Sequence, residues 1–248
     1  MLKLILLGAI QGMTEFLPVS SSGHLVIIQR LLGLHQNLVF LDISLHIGTL
    51  LALVTFFFKD ILAACKDAKL ILRILIATVV TGIIGLVFKK VFESFFTSPA
   101  LVSVLLIVNG LLILATGFIK KGGRLPNYAD SALMGISQGI AITPGISRSG
   151  ATICTLLARK VDPREAFRFS FLASIPAILG ALLLETKDTD WTKITEYHLL
   201  DIATGVATAY TFGILAMFLL KKSLLSGRFH AFGYYCVLAG TTFLFFAR

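Results

Sequence analysis

Charge is scarce in this chain. Asp, Glu, Lys and Arg make up 14% of 248 residues while hydrophobic residues make up 56%. A soluble globular domain carries roughly a quarter charged residues, so the composition excludes that class and predicts an integral membrane protein. Cysteine is also sparse. Cys65, Cys154 and Cys236 are scattered, odd in number and free of any CxxC pair, which excludes a disulfide framework and a thiolate metal cluster. The five histidines show no HExxH spacing. The N-terminal apolar run has no cleavage pattern of a signal peptide and passes straight into polar sequence, so it reads as mature chain. The net charge of +9 fits loop Lys and Arg under the positive-inside rule, and no nucleic-acid partner is expected.

Apolar sequence is abundant. Six stretches reach the roughly 17–25 residues a crossing needs: about Phe40–Phe58, Leu70–Phe88, Ala100–Phe118, Ala166–Leu184, Leu199–Leu220 and Phe229–Ala247. Two others are broken. Leu2–Thr14 runs into Glu15-Phe16-Leu17-Pro18 and three serines before resuming at His24–Leu34. Ser131–Thr143 runs into Pro144-Gly145 and resumes at Ala151–Ala158. Each piece is about half a span, and proline and glycine at the break favour a turn. The pattern predicts two re-entrant helix–loop–helix hairpins; two kinked crossings are the plainer alternative. The twenty phenylalanines are read as lipid-facing.

The breaks are duplicated. Ser20-Ser21-Ser22-Gly23 returns as Ser147-Arg148-Ser149-Gly150, and the same offset of 127 pairs Gly8 with Gly135, Gln11 with Gln138 and Gly12 with Gly139. Each half, 1–127 and 128–248, holds one hairpin and three crossings. Three is odd, so the second half enters from the opposite face, as an inverted repeat. The expected fold is therefore an all-α polytopic membrane bundle of about six transmembrane helices and two re-entrant hairpins, with Lys89–Phe96 an interfacial piece and Lys120–Asp130 the linker. One side collects Lys59, Lys66, Lys69, Lys120, Lys121, Arg124, Arg159, Lys160, Arg164, Lys221, Lys222 and Arg228. The other has Lys3, Arg30, Lys89, Lys90, Lys187, Lys193 and Arg248. The richer side should be cytoplasmic, which turns the first hairpin's mouth, with Gly33 and His35, outward.

Polar groups at this depth persist where they serve a site. Gln11 and Glu15, four apart, share a helix face. A buried Glu15 needs a cation, hydrogen bonds, a metal or a proton. Two half-helices begin after the serine clusters, and their N-termini offer amides and partial positive charge to an anion. Arg148 adds a forked donor suited to phosphate, and Ser21, Ser147, Ser149 and Thr152 add hydroxyls. Ser20, Ser22 and Ser149 also suit helix caps. His24 lies three residues beyond Ser21, and is read as nucleophile or as acid or base. His46 maps by the offset onto Ala173 and is read as packing or as helix–helix bonding.

"Ser-Gly-His" and "Ser-Arg" also bear a partial likeness to the acid and lipid phosphatase superfamily. That superfamily needs a histidine where Cys154 stands, and no Lys-x6-Arg-Pro precedes it, so the match is poor. The stretches Gln11-Gly-Met-Thr-Glu15-Phe-Leu-Pro-Val-Ser-Ser-Ser-Gly-His24 and Pro144-Gly-Ile-Ser-Arg-Ser-Gly-Ala-Thr152 closely resemble two long motifs of the undecaprenyl pyrophosphate phosphatase family, the bacitracin resistance proteins. Similarity extends over nearly the whole chain. Gln at position 11 is an alternative the family pattern admits.

The resemblance implies a multi-pass enzyme of the bacterial inner membrane. It would remove the terminal phosphate of undecaprenyl diphosphate at the periplasmic side, recycling the carrier for peptidoglycan and other envelope polymers and conferring bacitracin resistance. It also implies a divalent cation, Mg2+ or Ca2+, held by Glu15, water and diphosphate oxygens rather than by a protein cage. On this reading Arg148, Ser147, Ser149, Thr152, Gln11 and Gly145 bind the diphosphate. Ser21 is the nucleophile with His24 handling protons and Glu15 positioning His24 or the metal. A phosphohistidine at His24 is the alternative. Partners are the lipid substrate and membrane lipids, and a homodimer is compatible with the sequence. Inverted repeats with broken helices would also suit a transporter or an isoprenoid-phosphate flippase.

Overall fold

The computed structural model describes residues 1–31, 33, 38–188 and 198–246. His35, Lys193 and Arg248, and the end of the sixth expected crossing at Ala247, lie outside the described residues. Twelve α-helices are described: α1 (Leu2–Phe16), α2 (Ser21–Leu31), α3 (Leu38–Phe56), α4 (Phe58–Ala64), α5 (Ala68–Val87), α6 (Lys89–Phe95), α7 (Pro99–Ala115), α8 (Tyr128–Ile140), α9 (Arg148–Ala158), α10 (Pro163–Asp188), α11 (Leu199–Leu225) and α12 (Ala231–Phe246). Among the described residues the only β pairing is an isolated bridge, Arg124 with Val161.

Among the described residues, five helical segments are long and apolar enough to cross a membrane: Val39–Phe56, Ala68–Val87, Pro99–Phe118, Pro163–Lys187 and Leu199–Leu225. They coincide with five of the six expected crossings. The sixth is the shorter α12, of 16 residues. The chain is thus a polytopic membrane helix bundle. Its outer faces are apolar, as on α5, where Leu75, Val79, Ile83 and Leu86 are all exposed. Many of its polar side chains, among them Gln11, Asn109 and Thr152, are buried inside. This is the pattern hydrocarbon solvent requires.

Local chemistry sets the breaks. α1 stops because Leu17, before Pro18, is driven extended (φ −67°, ψ 150°). Ser20 then takes a left-handed φ of +67° before α2 starts, two residues earlier than the sequence suggests. α8 opens on a capping box between Asn127 and Asp130. Asp130 is fully buried and also bonded by Arg124 and Arg159. Burial alone would raise its carboxyl, but these donors and the Asn127 amide bring it down to about 2. After α8 comes Gly145 at φ +97°, then Ser147, which caps α9 through the Gly150 amide (3.1 Å).

The helices touch through small residues, as membrane helices do. α1 lies on α11, α8 on α5, and α7 on α12. A Cβ on Gly12 would sit 2.5 Å from the Ala209 carbonyl oxygen. A Cβ on Gly110 would meet the Gly233 oxygen at 2.8 Å, and one on Gly233 the Gly110 oxygen at 2.6 Å.

The lipid-facing reading of phenylalanine holds only in part. Phe16, Phe57, Phe167, Phe169 and Phe171 are buried. Phe16, Phe57, Phe167 and Phe171 form a connected set of rings, with centroids 4.9–5.8 Å apart. The set joins the end of α1 to the α3–α4 junction and to α10, where the neighbouring Arg168 pairs with Asp60. Aromatic pairs gain from such edge and offset contacts.

A matched pair of variants checks the packing. Gly12→Ala should lower stability by about 1–3 kcal/mol through backbone displacement. Gly82→Ala, where nothing lies within 4 Å, should stay within about 0.5 kcal/mol of the parent. Thermal unfolding in detergent reads both, and equal effects would contradict the close α1–α11 approach.

Candidate active site

The two breaks meet, and a carboxylate lies where they do. Glu15 ends α1 with its side chain 7% exposed. Its Oε1 pairs with Arg148 Nη2 from the start of α9. Its Oε2 accepts the Ser21 hydroxyl from the start of α2 at 2.7 Å, and the Gln11 amide at 3.2 Å. His46 Nε2 on α3 lies 3.7 Å from the same oxygen. Four helices therefore converge on one carboxylate. A buried charge survives only when paired and hydrogen-bonded in this way.

Cross-bonds hold the two breaks in register. Ser20 Oγ accepts the Gly145 amide at 3.1 Å and the Gly23 amide at 3.4 Å. Reciprocally, Ser147 Oγ donates to the Leu17 carbonyl at 3.4 Å. Gly145 must be glycine for two reasons. Its φ is left-handed, and a Cβ would lie 2.5 Å from the Val102 oxygen. Asn109 on α7 spans the same region. Its Nδ2 donates to the Pro18 carbonyl (3.1 Å) and its Oδ1 accepts the Ser147 amide (3.0 Å). The serine caps serve Gly23 and Gly150, and the amides ahead of them belong to Ser21 and Ser22 in α2 and to Arg148 and Ser149 in α9. With the Arg148 guanidinium these form a donor array beside a hydroxyl already bonded to a carboxylate. The arrangement suits an anionic phosphate and an activated serine.

The structure thus brings together Gln11, Glu15, Ser21, Ser147 and Arg148. Ser149 bonds to Ser147 at 3.2 Å. Thr152 faces away, bonding Ser170 on α10 (2.7 Å) and the Arg148 carbonyl (2.8 Å), so it braces the turn that carries Arg148. His24 is not brought to Ser21. Its Nδ1 bonds the Ser20 carbonyl at 2.8 Å and its Nε2 the Tyr235 hydroxyl at 2.8 Å, with the Tyr235 ring stacked on it. His46, expected to serve packing or helix–helix bonding, stands on α3 beside Glu15 of α1, its Nδ1 bonded to the Asp42 carbonyl at 2.8 Å. Asn109 and Tyr235 were not expected. A polar residue within one of the most apolar stretches was the available signal for Asn109 and for His46.

No group of three His, Cys, Asp or Glu side chains that could hold a metal occurs among the described residues. Among the described residues Glu15 is the carboxylate bonded from both breaks, and Arg148, Ser21 and Gln11 already engage both its oxygens. It is the side chain here that could hold a cation brought by a polyphosphate ligand.

The Glu15–Arg148 pair has a thermodynamic signature. Arg148→Gln leaves a buried carboxylate unpaired and should cost about 3–5 kcal/mol. Adding Glu15→Gln should restore much of that, because neither charge remains. Unfolding of the two single variants and the double variant measures the coupling. Strictly additive losses would show that the pair is not coupled.

Comparison with known proteins agrees in one direction. The family model of the bacitracin resistance protein BacA matches residues 4–242. An undecaprenyl-diphosphatase of Desulfatibacillum aliphaticivorans is 40% identical, over 98% of this chain and 97% of the relative. One from Alkaliphilus metalliredigens is 39% identical, over 99% and 98%. One from Thermotoga petrophila is 36% identical, over 94% and 95%.

Proposed function

The chain belongs to the bacitracin resistance protein BacA family, and we propose that it is an undecaprenyl-diphosphatase, converting the lipid diphosphate to undecaprenyl phosphate and inorganic phosphate. One observation carries the reading: the Ser21 hydroxyl donates at 2.7 Å to a carboxylate whose other oxygen holds an arginine. Nucleophile, base and anion clamp are then a single constellation.

The chemistry follows. Ser21 Oγ attacks the terminal phosphorus as its proton passes to Glu15. The Oγ–P bond forms, the bond from phosphorus to the bridging oxygen breaks, and undecaprenyl phosphate leaves. Glu15 hands that proton to the departing undecaprenyl phosphate; water then attacks the phosphoserine and gives a proton to the freed Glu15 carboxylate, which returns it to Ser21 Oγ as the Oγ–P bond breaks and inorganic phosphate leaves. Arg148 and the first amides of α2 and α9 hold the charge on the equatorial oxygens, which is the main demand of phosphoryl transfer. Gln11 steadies Glu15. His24, tied to Ser20 and Tyr235, keeps the turn before Ser21 in shape, and Glu15 takes the proton role first given to His24. A divalent cation carried by the diphosphate would be held by Glu15 and would supply further charge neutralisation.

The setting we infer is the bacterial inner membrane, with α1–α2 and α8–α9 as re-entrant hairpins in inverted halves, 1–127 and 128–248. Support comes from packing that exchanges under the offset: α1 lies on α11 as its counterpart α8 lies on α5. The outward mouth of the first hairpin follows from loop charge. Glu15, His24 and His46 map onto Ile142, Ala151 and Ala173. The nucleophile and base thus lie in the first half and the arginine clamp in the second, an asymmetry that favours hydrolysis from one face over transport between two.

Phosphate release from undecaprenyl or farnesyl diphosphate by the purified protein tests the activity. Ser21→Ala should lower kcat by at least about a thousandfold while leaving KM within about threefold, because the clamp remains. Substantial turnover in a folded Ser21→Ala protein would reject the nucleophile. Sidedness is read separately. Gly33→Cys and Lys187→Cys should react with an impermeant thiol reagent from outside intact cells. Native Cys65, which is exposed, should react only once the membrane is opened, and labelling of all three from one side would refute the topology.

A further inference from the structure

Asn109 lies on α7, a helix of otherwise almost entirely apolar sequence, and is 1% exposed. An amide side chain at such depth carries a cost of desolvation unless its donors and acceptor are met. They are met by the two breaks. One Nδ2 hydrogen reaches the Pro18 carbonyl (3.1 Å) in the first break, and the amide also lies 3.5 Å from Cys236 Sγ. The Oδ1 accepts the Ser147 amide (3.0 Å) in the second break. Cys236 on α12 points its thiol at the same Pro18 carbonyl, at 3.4 Å. Asn109 and Cys236 are 127 residues apart, the offset that relates the breaks themselves. They lie on the two helices whose glycines meet reciprocally. The backbone of a break cannot satisfy itself in hydrocarbon, and here one side chain satisfies an orphan carbonyl of one break and an orphan amide of the other.

The bridged amide belongs to Ser147, one residue before Arg148. The bridged carbonyl belongs to Pro18, three residues before Ser21. We propose that Asn109 is a positioning residue for phosphoryl transfer: as the strut between the breaks, it sets the separation of the Arg148 clamp from the Ser21 hydroxyl. The inference rests on the phosphatase reading. It differs from a bond that merely stabilises the fold, because the strut's length, as well as its presence, should govern rate. Positioning errors of an ångström act on kcat more than on binding.

Two variants and two measurements test it, all on the full-length protein in detergent or nanodiscs. Asn109→Leu removes both bonds at similar volume. Asn109→Gln keeps both amide functions on a longer arm. Asn109→Leu should lower kcat on farnesyl diphosphate at least about tenfold with KM within about threefold, and Asn109→Gln should lower kcat by a smaller factor at an unchanged unfolding temperature. Hydrogen exchange, which needs no activity, should rise across residues 144–150 in Asn109→Leu while α3 and α10 keep their protection. Wild-type kcat in a folded Asn109→Leu protein would overturn the proposal. So would an Asn109→Leu protein that fails to fold beside an Asn109→Gln protein with wild-type kcat, since the residue would then serve the fold alone. If the wild type releases no phosphate but exchange still rises at 144–150, the strut stands and the phosphatase reading falls.

Discussion

A carboxylate with almost no exposure to water must be compensated from every side, and Glu15 imposes that demand on the whole molecule. Its neighbours arrive from α1, α2, α3 and α9. The guanidinium that balances it is 133 residues away in sequence. The pair holds only if both breaks are present, facing and in register. The duplicated serines, the left-handed Ser20 and Gly145, and the Asn109 strut all serve that registration. Membrane helices lack a hydrophobic drive toward one another, so the close glycine contacts of α1 with α11 and of α7 with α12 supply the packing on which the polar centre rests.

Much of this was legible in one dimension. The proline, glycine and serine interruptions marked both breaks because they conflict with helix in otherwise continuous apolar sequence. The 127-residue offset exposed their kinship. Glu15, Ser21 and Arg148 stood out because charge and hydroxyl are costly at that depth. What stayed hidden depends on side-chain direction and long-range closure. The step of three from Ser21 to His24 suggested partnership, yet the helix turns His24 toward Tyr235, 211 residues on. His46 was weighed against its repeat counterpart, Ala173, and so read as packing or helix–helix bonding. The asymmetry that argued against a site role is what a site whose two halves supply different groups would leave. The phenylalanines show the same limit, since composition alone does not divide rings facing lipid from rings facing one another.

The two halves share a scaffold and divide the labour. Ser20 and Ser147 perform matching tasks: each caps its own helix and reaches across to the opposite break. Beyond those caps the copies diverge. One presents Glu15 and Ser21, the other Arg148. Neither break holds a complete set, so the groups meet only at their junction. Duplication here supplies two helix N-termini pointed at one spot, and divergence supplies the opposite charges that meet there.

The ring cluster beneath Glu15 carries a consequence for energy coupling. A polar cleft reaching deep into a bilayer thins the insulating layer, and a unit charge crossing 100 mV is worth about 2.3 kcal/mol. Phe16, Phe57, Phe167 and Phe171 set buried aromatic rings next to Glu15 in place of polar groups. Such rings offer no donors or acceptors to a chain of water. On the proposed reading, in which lipid diphosphate and released phosphate use one side, that layer would keep hydrolysis separate from ion leakage.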